Sequence, residues 1–366
     1  MTNGKRKKES PIRKLMNPRK IAIPIVIGVA VAAYLLYQSW DAQAFASIQW
    51  NFYTYAMLFV GFLMVACRDI GYMIRLRILT DNKISWRNAF DVIMLWEFSS
   101  AITPSVVGGS GVAIFIINKE GLSIGRSTAV VMTTAFLDEL FYVIMVPVLL
   151  LVVGTTTLFP VELRQEILGI TLGTKEIFWA GYGFILLLIS LILFGIFISP
   201  QRFKKLLVAI FKIRFLRRWA KTAHETGDEV IVTSKELRGK PFQFWLKAFA
   251  ATFLSWTARY WVTNFLLLAF ATSAIGWGDH LLIYARQLVM WVIMLISPTP
   301  GSAGVAELAF EQFLQAFTPV GLAVALGLLW RLFTYYPYLF MGAIVLPSWI
   351  QRVYLGRKLI KFKDLK

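Results

Sequence analysis

Glu307, Arg259 and Arg331 are charged residues set inside segments otherwise apolar enough to lie in lipid. A carboxylate or guanidinium at bilayer depth costs roughly 2.5 to 3.5 kcal/mol on insertion scales, so each calls for a partner in the protein or in a ligand. Arginine offers a planar fork that matches a phosphodiester with two hydrogen bonds. Arg331 falls well inside the last apolar segment, and Arg259 lies mid-segment beside Trp256, Tyr260 and Trp261. Arg286 sits nearer a segment end, where it can snorkel to the interface. Glu307 follows a Pro/Gly break and opens an apolar arm whose free N–H groups and dipole hold an anion. One reading has Glu307 contacting a cationic or hydroxylated group, or a paired arginine, while the opened backbone binds phosphate. The other has it capping those N–H groups. For the arginines the alternative is a structural ion pair with Glu97, Asp138, Glu139, Glu307 or Glu311.

Asp138 and Glu139 are adjacent in an apolar stretch, so on a helix they point about 100° apart and one of them faces a cavity. Glycosidase-like chemistry needs two carboxylates opposed across a substrate, and adjacent residues do not supply that. Asp91 and Glu97 fall on the arm before the first break, where a polar bundle contact serves as well as a ligand role. Cys67 is the lone cysteine, and His224 and His280 lack metal-ligand spacing, so neither a disulfide nor a metal site is expected. No Walker A loop, dinucleotide fingerprint, His-Glu-x-x-His or Gly-x-Ser-x-Gly occurs. The expectation is a non-enzyme with no cofactor.

The elements that must position these residues are membrane helices. The 366 residues are 58% hydrophobic and 16% charged, with a mean hydropathy of +0.65, which excludes an ordinary soluble domain. The net charge of +18 gathers in three basic stretches between or beyond apolar segments, as cytoplasmic anchoring requires and nucleic-acid binding does not. Two breaks interrupt the apolar pattern. Pro104, Gly108, Gly109 and Gly111 mark the first; Pro298, Pro300, Gly301 and Gly304 mark the second, and both run into Gly-Val-Ala. These residues remove backbone donors or free backbone angles, so they are read as the tips of helical hairpins. Irregular backbone at membrane depth survives when it is buried in protein or lines a cavity. Each arm of the first hairpin is about 14 residues, roughly 21 Å as helix, so a re-entrant pair and two short tilted spans fit equally well.

Residues 1–20 read as a basic cytoplasmic tail. Ile21–Tyr37 and Phe52–Cys67 form two spans, followed by a basic inner connection with Arg68, Arg75, Arg77, Lys83 and Arg87. The first hairpin spans Asn88–Asn118, and Arg126–Gly154 crosses outward. Residues 155–176 form an outer loop. Ile177–Ile198 runs inward to a basic insert, 200–241, made of one or two amphipathic helices on the headgroups. Phe242–Thr272 crosses outward, Leu281–Phe317 is the second hairpin, and Val320–Trp349 is a last inward span. Residues 349–366 end inside. The directions make an inverted repeat, 21–154 against 177–348, in an all-α polytopic protein of the inner (cytoplasmic) membrane with both termini cytoplasmic. Such repeats bring two hairpins toward the midplane from opposite sides and support alternating access.

Pro104 to Gly111, then Lys119-Glu120-Gly121-Leu122-Ser123 and the helix bearing Asp138, resembles the first block of the lysylphosphatidylglycerol synthase transmembrane, flippase-like, family. Pro298 to Glu307 resembles the second, a Pro-x-Pro-Gly-Gly-x-Gly-x-x-Glu pattern, with Ser302 in place of the second glycine and Ser110 where many members have an acid. The resemblance implies a relative of the lipid-flipping part of the multiple peptide resistance factor, which translocates aminoacylated phosphatidylglycerol. The aminoacyl-transferring domain of the fused synthases is absent from the sequence. The expectation is a flippase or transporter of a lipid-linked substrate: an anionic or aminoacylated phospholipid, or a lipid-linked sugar. Its headgroup sits between the hairpins with Glu307, Arg331, Arg259, Asp138, Glu139 and Glu97 as substrate-binding candidates. The alternative is a membrane-embedded accessory or scaffold subunit for a lipid-modifying or envelope-biosynthesis enzyme. A homo-oligomer is compatible with either.

Overall fold

The computed structural model describes residues 30, 34, 37, 38, 41–103, 106–160, 165–167, 170–213, 217, 220–295, 302 and 304–355. Most of the first expected span, both basic tails for the most part, and Pro104, Pro298, Pro300 and Gly301 of the expected tips lie outside the described residues. The remainder is helical apart from one small ribbon. A short helix, α1 (Ala42–Ala46), leads into α2 (Phe52–Leu79), α3 (Trp86–Ile102), α4 (Val106–Lys119), α5 (Ile124–Val153) and α6 (Thr155–Leu158). The second half holds α7 (Thr174–Ile192), α8 (Pro200–Ile210), α9 (Ala220–Arg238), α10 (Phe242–Phe270), α11 (Trp277–Leu295), α12 (Val305–Leu314), α13 (Ala323–Thr334) and α14 (Tyr336–Ile350). Between α6 and α7, β1 (Gln165–Ile167) and β2 (Ile170–Leu172) pair antiparallel, with Glu166 opposite Thr171. The expected outer loop thus contains a two-stranded ribbon.

Polar caps set several of these boundaries. Asn51, Ser85 and Ser123 each accept from a backbone N–H in the first turn of α2, α3 and α5. Among the described residues, Phe52–Leu79, Ile124–Val153 and Thr174–Ile198 are each long and apolar enough to cross a membrane. Their outward faces carry large exposed side chains, among them Phe59 and Phe62 on α2, Val148 and Leu151 on α5, and Phe184 and Leu187 on α7. Water would not tolerate such faces; lipid chains would.

Three expectations change. Helix α2 does not stop at Cys67 but continues to Leu79, so Arg68, Arg75 and Arg77 belong to a helix and not to a basic connection. The last span is two helices. Pro337 has no N–H and crowds the preceding turn, and the chain breaks at Tyr335, with φ −127° and ψ −57°. In the first hairpin, Gly108, Gly109 and Gly111 lie within α4. Gly109 is there for close packing, since a Cβ would overlap the Ser100 side chain on the facing arm.

The longest packed pair is α2 with α10. At Gly71 a Cβ would collide with the Ser255 hydroxyl and lie 3.1 Å from the Ala251 carbonyl, so small residues let the two backbones approach. Around this pair, one apolar cluster gathers Tyr142, Trp256, Tyr260 and Met290, and a second gathers Tyr72, Leu137 and Tyr338. In the basic insert, Ala223, Val230 and Leu237 repeat every seven residues on α9 and are buried, whereas α8 buries no residue.

Candidate functional site

Arg68, Tyr72 and Arg75 stand at i, i+4 and i+7 on α2 and therefore share a face. Both arginines are buried, at 3% and 4% exposure. Arg68 pairs with Glu97 of α3 at 2.7 Å and with Asp69 at 3.2 Å, and its guanidinium covers the Tyr72 and Tyr338 rings. Arg75 pairs through both of its terminal nitrogens with Asp138 of α5 and donates to the Thr252 hydroxyl of α10 at 3.1 Å. Trp256 Nε1 adds a 2.7 Å hydrogen bond to Asp138. These contacts tie α2, α3, α5, α10 and α14 together.

Beside them is a cavity of about 290 Å³. Its wall takes Glu97, Ser100 and Thr103 from the first hairpin, Met294 and Leu295 from α11, and Ser302 from the second break. Residues from α2, α4, α5, α10, α13 and α14 complete it. Five charged side chains line it: Glu97, Asp138, Glu139, Arg259 and Arg331. Three have ion-pair partners, Glu97 with Arg68, Asp138 with Arg75 and Arg331 with Glu307. Arg259 and Glu139 make no ion pair or hydrogen bond among the described residues. The Arg259 guanidinium rests against two indoles that pack edge to face, 5.2 Å from the Trp256 ring and 4.7 Å from the Trp291 ring. Each such contact stabilises a desolvated cation by about 0.5 to 2 kcal/mol and fixes its direction without using its N–H groups. Glu139 Oε2 is closed off from solvent and has no hydrogen-bond partner. Tyr142 and Tyr260, hydroxyls 2.5 Å apart, also line the wall, and the Tyr142 ring stacks on Trp291.

Glu307 combines two of the roles open to it. Its Oε2 accepts from the Gly304 N–H at 2.7 Å, closing the N-terminus of α12, where Gly304 sits at φ +83°. Its Oε1 lies 3.2 Å from Arg331 Nε. Glu307 is 2% exposed and does not reach the cavity wall; Arg331 does. The Arg331 guanidinium also covers the Tyr335 ring at 3.9 Å, and the Tyr335 hydroxyl donates to the Ala101 carbonyl at 3.0 Å. The break in the last span is thereby joined to the end of the arm before the first hairpin turn.

Two charged groups belong to the frame. Arg286 donates to the Thr157 carbonyl at 2.8 Å and the Phe313 carbonyl at 2.9 Å, satisfying open helix-end acceptors. Arg352 joins Asp91 at 2.8 Å and Glu120 at 2.7 Å, and Trp349 Nε1 also donates to Glu120 at 2.7 Å. The Lys119-Glu120-Gly121-Leu122-Ser123 stretch therefore fixes helix ends: Glu120 holds the chain after α14 and Ser123 caps α5. Sequence reasoning missed Arg68 and Arg75, whose seven-residue spacing about Tyr72 was the available signal. Trp291, which sequence reasoning did not single out as part of the site, lies with Trp256 against Arg259. Among the described residues no group of histidine, cysteine and carboxylate side chains could hold a metal ion.

The family model for the lysylphosphatidylglycerol synthase transmembrane region matches residues 21–342. A UPF0104 membrane protein of Archaeoglobus fulgidus is 26% identical over 333 residues, which cover 88% of this chain and 94% of that protein. The family match spans the cavity-lining residues, from Tyr72 to Tyr338.

Proposed function

The chain belongs to the family of lysylphosphatidylglycerol synthase transmembrane regions, and from that premise we propose that it moves a phosphate-bearing lipid headgroup between membrane leaflets. The observation that carries the reading is Arg259, a guanidinium resting against two mutually packed indoles in a cavity of about 290 Å³ with its N–H groups unspent on any described residue. A charge so placed inside a membrane bundle marks a substrate path by default. The volume is at the lower end of small-molecule sites, enough for a headgroup while acyl chains stay in lipid. Residues of both breaks, Thr103 and Ser302, stand at the wall. That supports an inverted repeat in which the hairpins open the cavity alternately to the two sides. Both termini and the 200–241 insert are then cytoplasmic.

Glu97, Asp138 and Arg331 shape the field of the cavity through their fixed pairs, and Glu307 acts through Arg331. The family match covers a membrane region and no catalytic domain, which favours transport over synthesis. Helix α8, which has no fully buried residue and exposes Leu206 and Ile210 beside Lys204 and Lys205, favours a second role in holding an envelope enzyme at the headgroups. Proteoliposomes with acyl-labelled phospholipid and an impermeant reductant test the main reading. Wild type should expose the inner-leaflet label and Arg259→Gln should not. Equal protection with wild-type and protein-free vesicles, across phospholipid classes, would refute it.

A further inference from the structure

Asp138 and Glu139 are neighbours on α5 with opposite situations. Both Asp138 oxygens accept from Arg75, and one also accepts from Trp256. Glu97 is likewise engaged, by Arg68. That leaves Glu139 as the carboxylate at the cavity wall with acceptor capacity to give, and Arg259 as the guanidinium with donors to give. The two are not paired with each other. Arg259 is three residues beyond Trp256, about 4.5 Å along α10, and Trp256 touches the residue next to Glu139.

Resting on the transport reading above, we propose that the cavity selects a zwitterionic headgroup, one phosphodiester and one primary ammonium, with the phosphate on Arg259 and the ammonium on Glu139. A headgroup that is only anionic would satisfy Arg259 and leave Glu139 facing added negative charge. A quaternary ammonium has no N–H to donate, so it would neutralise Glu139 without hydrogen-bonding it. A headgroup with both groups completes the cavity: each remaining charge receives a counter-charge, and both pairs are hydrogen-bonded in a site shielded from water. Of the pairs around it, Arg75 with Asp138 and Arg331 with Glu307 are matched one to one, while Arg68 answers both Glu97 and Asp69.

The test is a native mass spectrometry titration of purified protein with short-chain phosphatidylethanolamine, phosphatidylglycerol and phosphatidylcholine, each against wild type, Glu139→Gln, Glu139→Asp and Arg259→Gln. Phosphatidylethanolamine should bind wild type at least tenfold more tightly than the other two. Glu139→Gln should bring it down to the level of phosphatidylglycerol, Glu139→Asp should keep part of the preference, and Arg259→Gln should weaken all three. Because Glu139 breaks no described contact when it becomes Gln, a folded variant is expected, and the Asp variant decides the matter should Gln misfold. Equal binding of the three lipids by a transport-competent wild type would overturn the headgroup assignment alone. An undiminished preference in Glu139→Gln or Glu139→Asp would also overturn it. Absence of both binding and transport would remove the transport reading with it.

Discussion

Glu307 and Arg331 should behave as one unit in stability, and the structure sets the size of the effect. The pair is 3.2 Å apart, with 3% and 8% of the two side chains exposed, so removing one partner takes the ion pair from a charge held away from water. Breaking a buried pair from one side costs about 3 to 5 kcal/mol. Glu307→Gln keeps an oxygen able to accept from the Gly304 N–H, so it should lose the ion pair alone, about 3 kcal/mol, or roughly 150-fold in the folding equilibrium. Glu307→Ala removes the cap as well and should lose about 1 kcal/mol more. Arg331→Met should cost about as much as Glu307→Gln. The double variant Glu307→Gln/Arg331→Met leaves no stranded charge and should recover to within about 2 kcal/mol of wild type. Equilibrium unfolding in mixed micelles, followed by tryptophan fluorescence, reads all four. Costs that add to within about 0.5 kcal/mol would mean the two side chains are not coupled, and the reasoning would be wrong.

Gly71→Leu should drive α2 and α10 apart, because even its Cβ collides with Ser255; an overpacking loss of about 1 to 3 kcal/mol is expected in the same assay, and an unchanged midpoint would contradict the close approach. Arg352→Ala leaves Glu120, whose side chain is 2% exposed, with the Trp349 indole N–H as its donor among the described residues. A loss of about 2 kcal/mol should appear as faster hydrogen exchange across 336–350, while unaltered exchange would make the cluster ornamental. With Cys67 replaced by alanine, Lys235→Cys should react with an impermeant maleimide in inverted vesicles but not in intact cells; the reverse pattern would overturn the orientation read from the basic stretches.

The membrane class was legible because it depends on composition and on runs of apolar residues, which need no tertiary context. The end of α3 at Ile102 was legible because Pro104 cannot continue the helix. The glycines after it were read as part of the turn because sequence does not distinguish a glycine that frees the backbone from one that admits a neighbour; Ser100 across from Gly109 decides that. Glu307 was read with both a capping role and an arginine partner open, and the fold uses both at once. Arg68 and Arg75 were misread for a physical reason. An arginine after an apolar run ordinarily marks a cytoplasmic loop, and only partners from distant segments, Glu97 and Asp138, make burial tolerable. The split at Tyr335 had its signal in Pro337, outweighed by the apolar run around it.

The central claim is that a lipid headgroup is held at Arg259 inside the bundle. Its most direct test is native mass spectrometry of the lipids that co-purify with wild type and with Arg259→Gln, both monodisperse. The account predicts a phosphate-bearing lipid class enriched over bulk membrane on the wild type and reduced at least tenfold on the variant. The same lipids on both proteins, in bulk proportions, would contradict it.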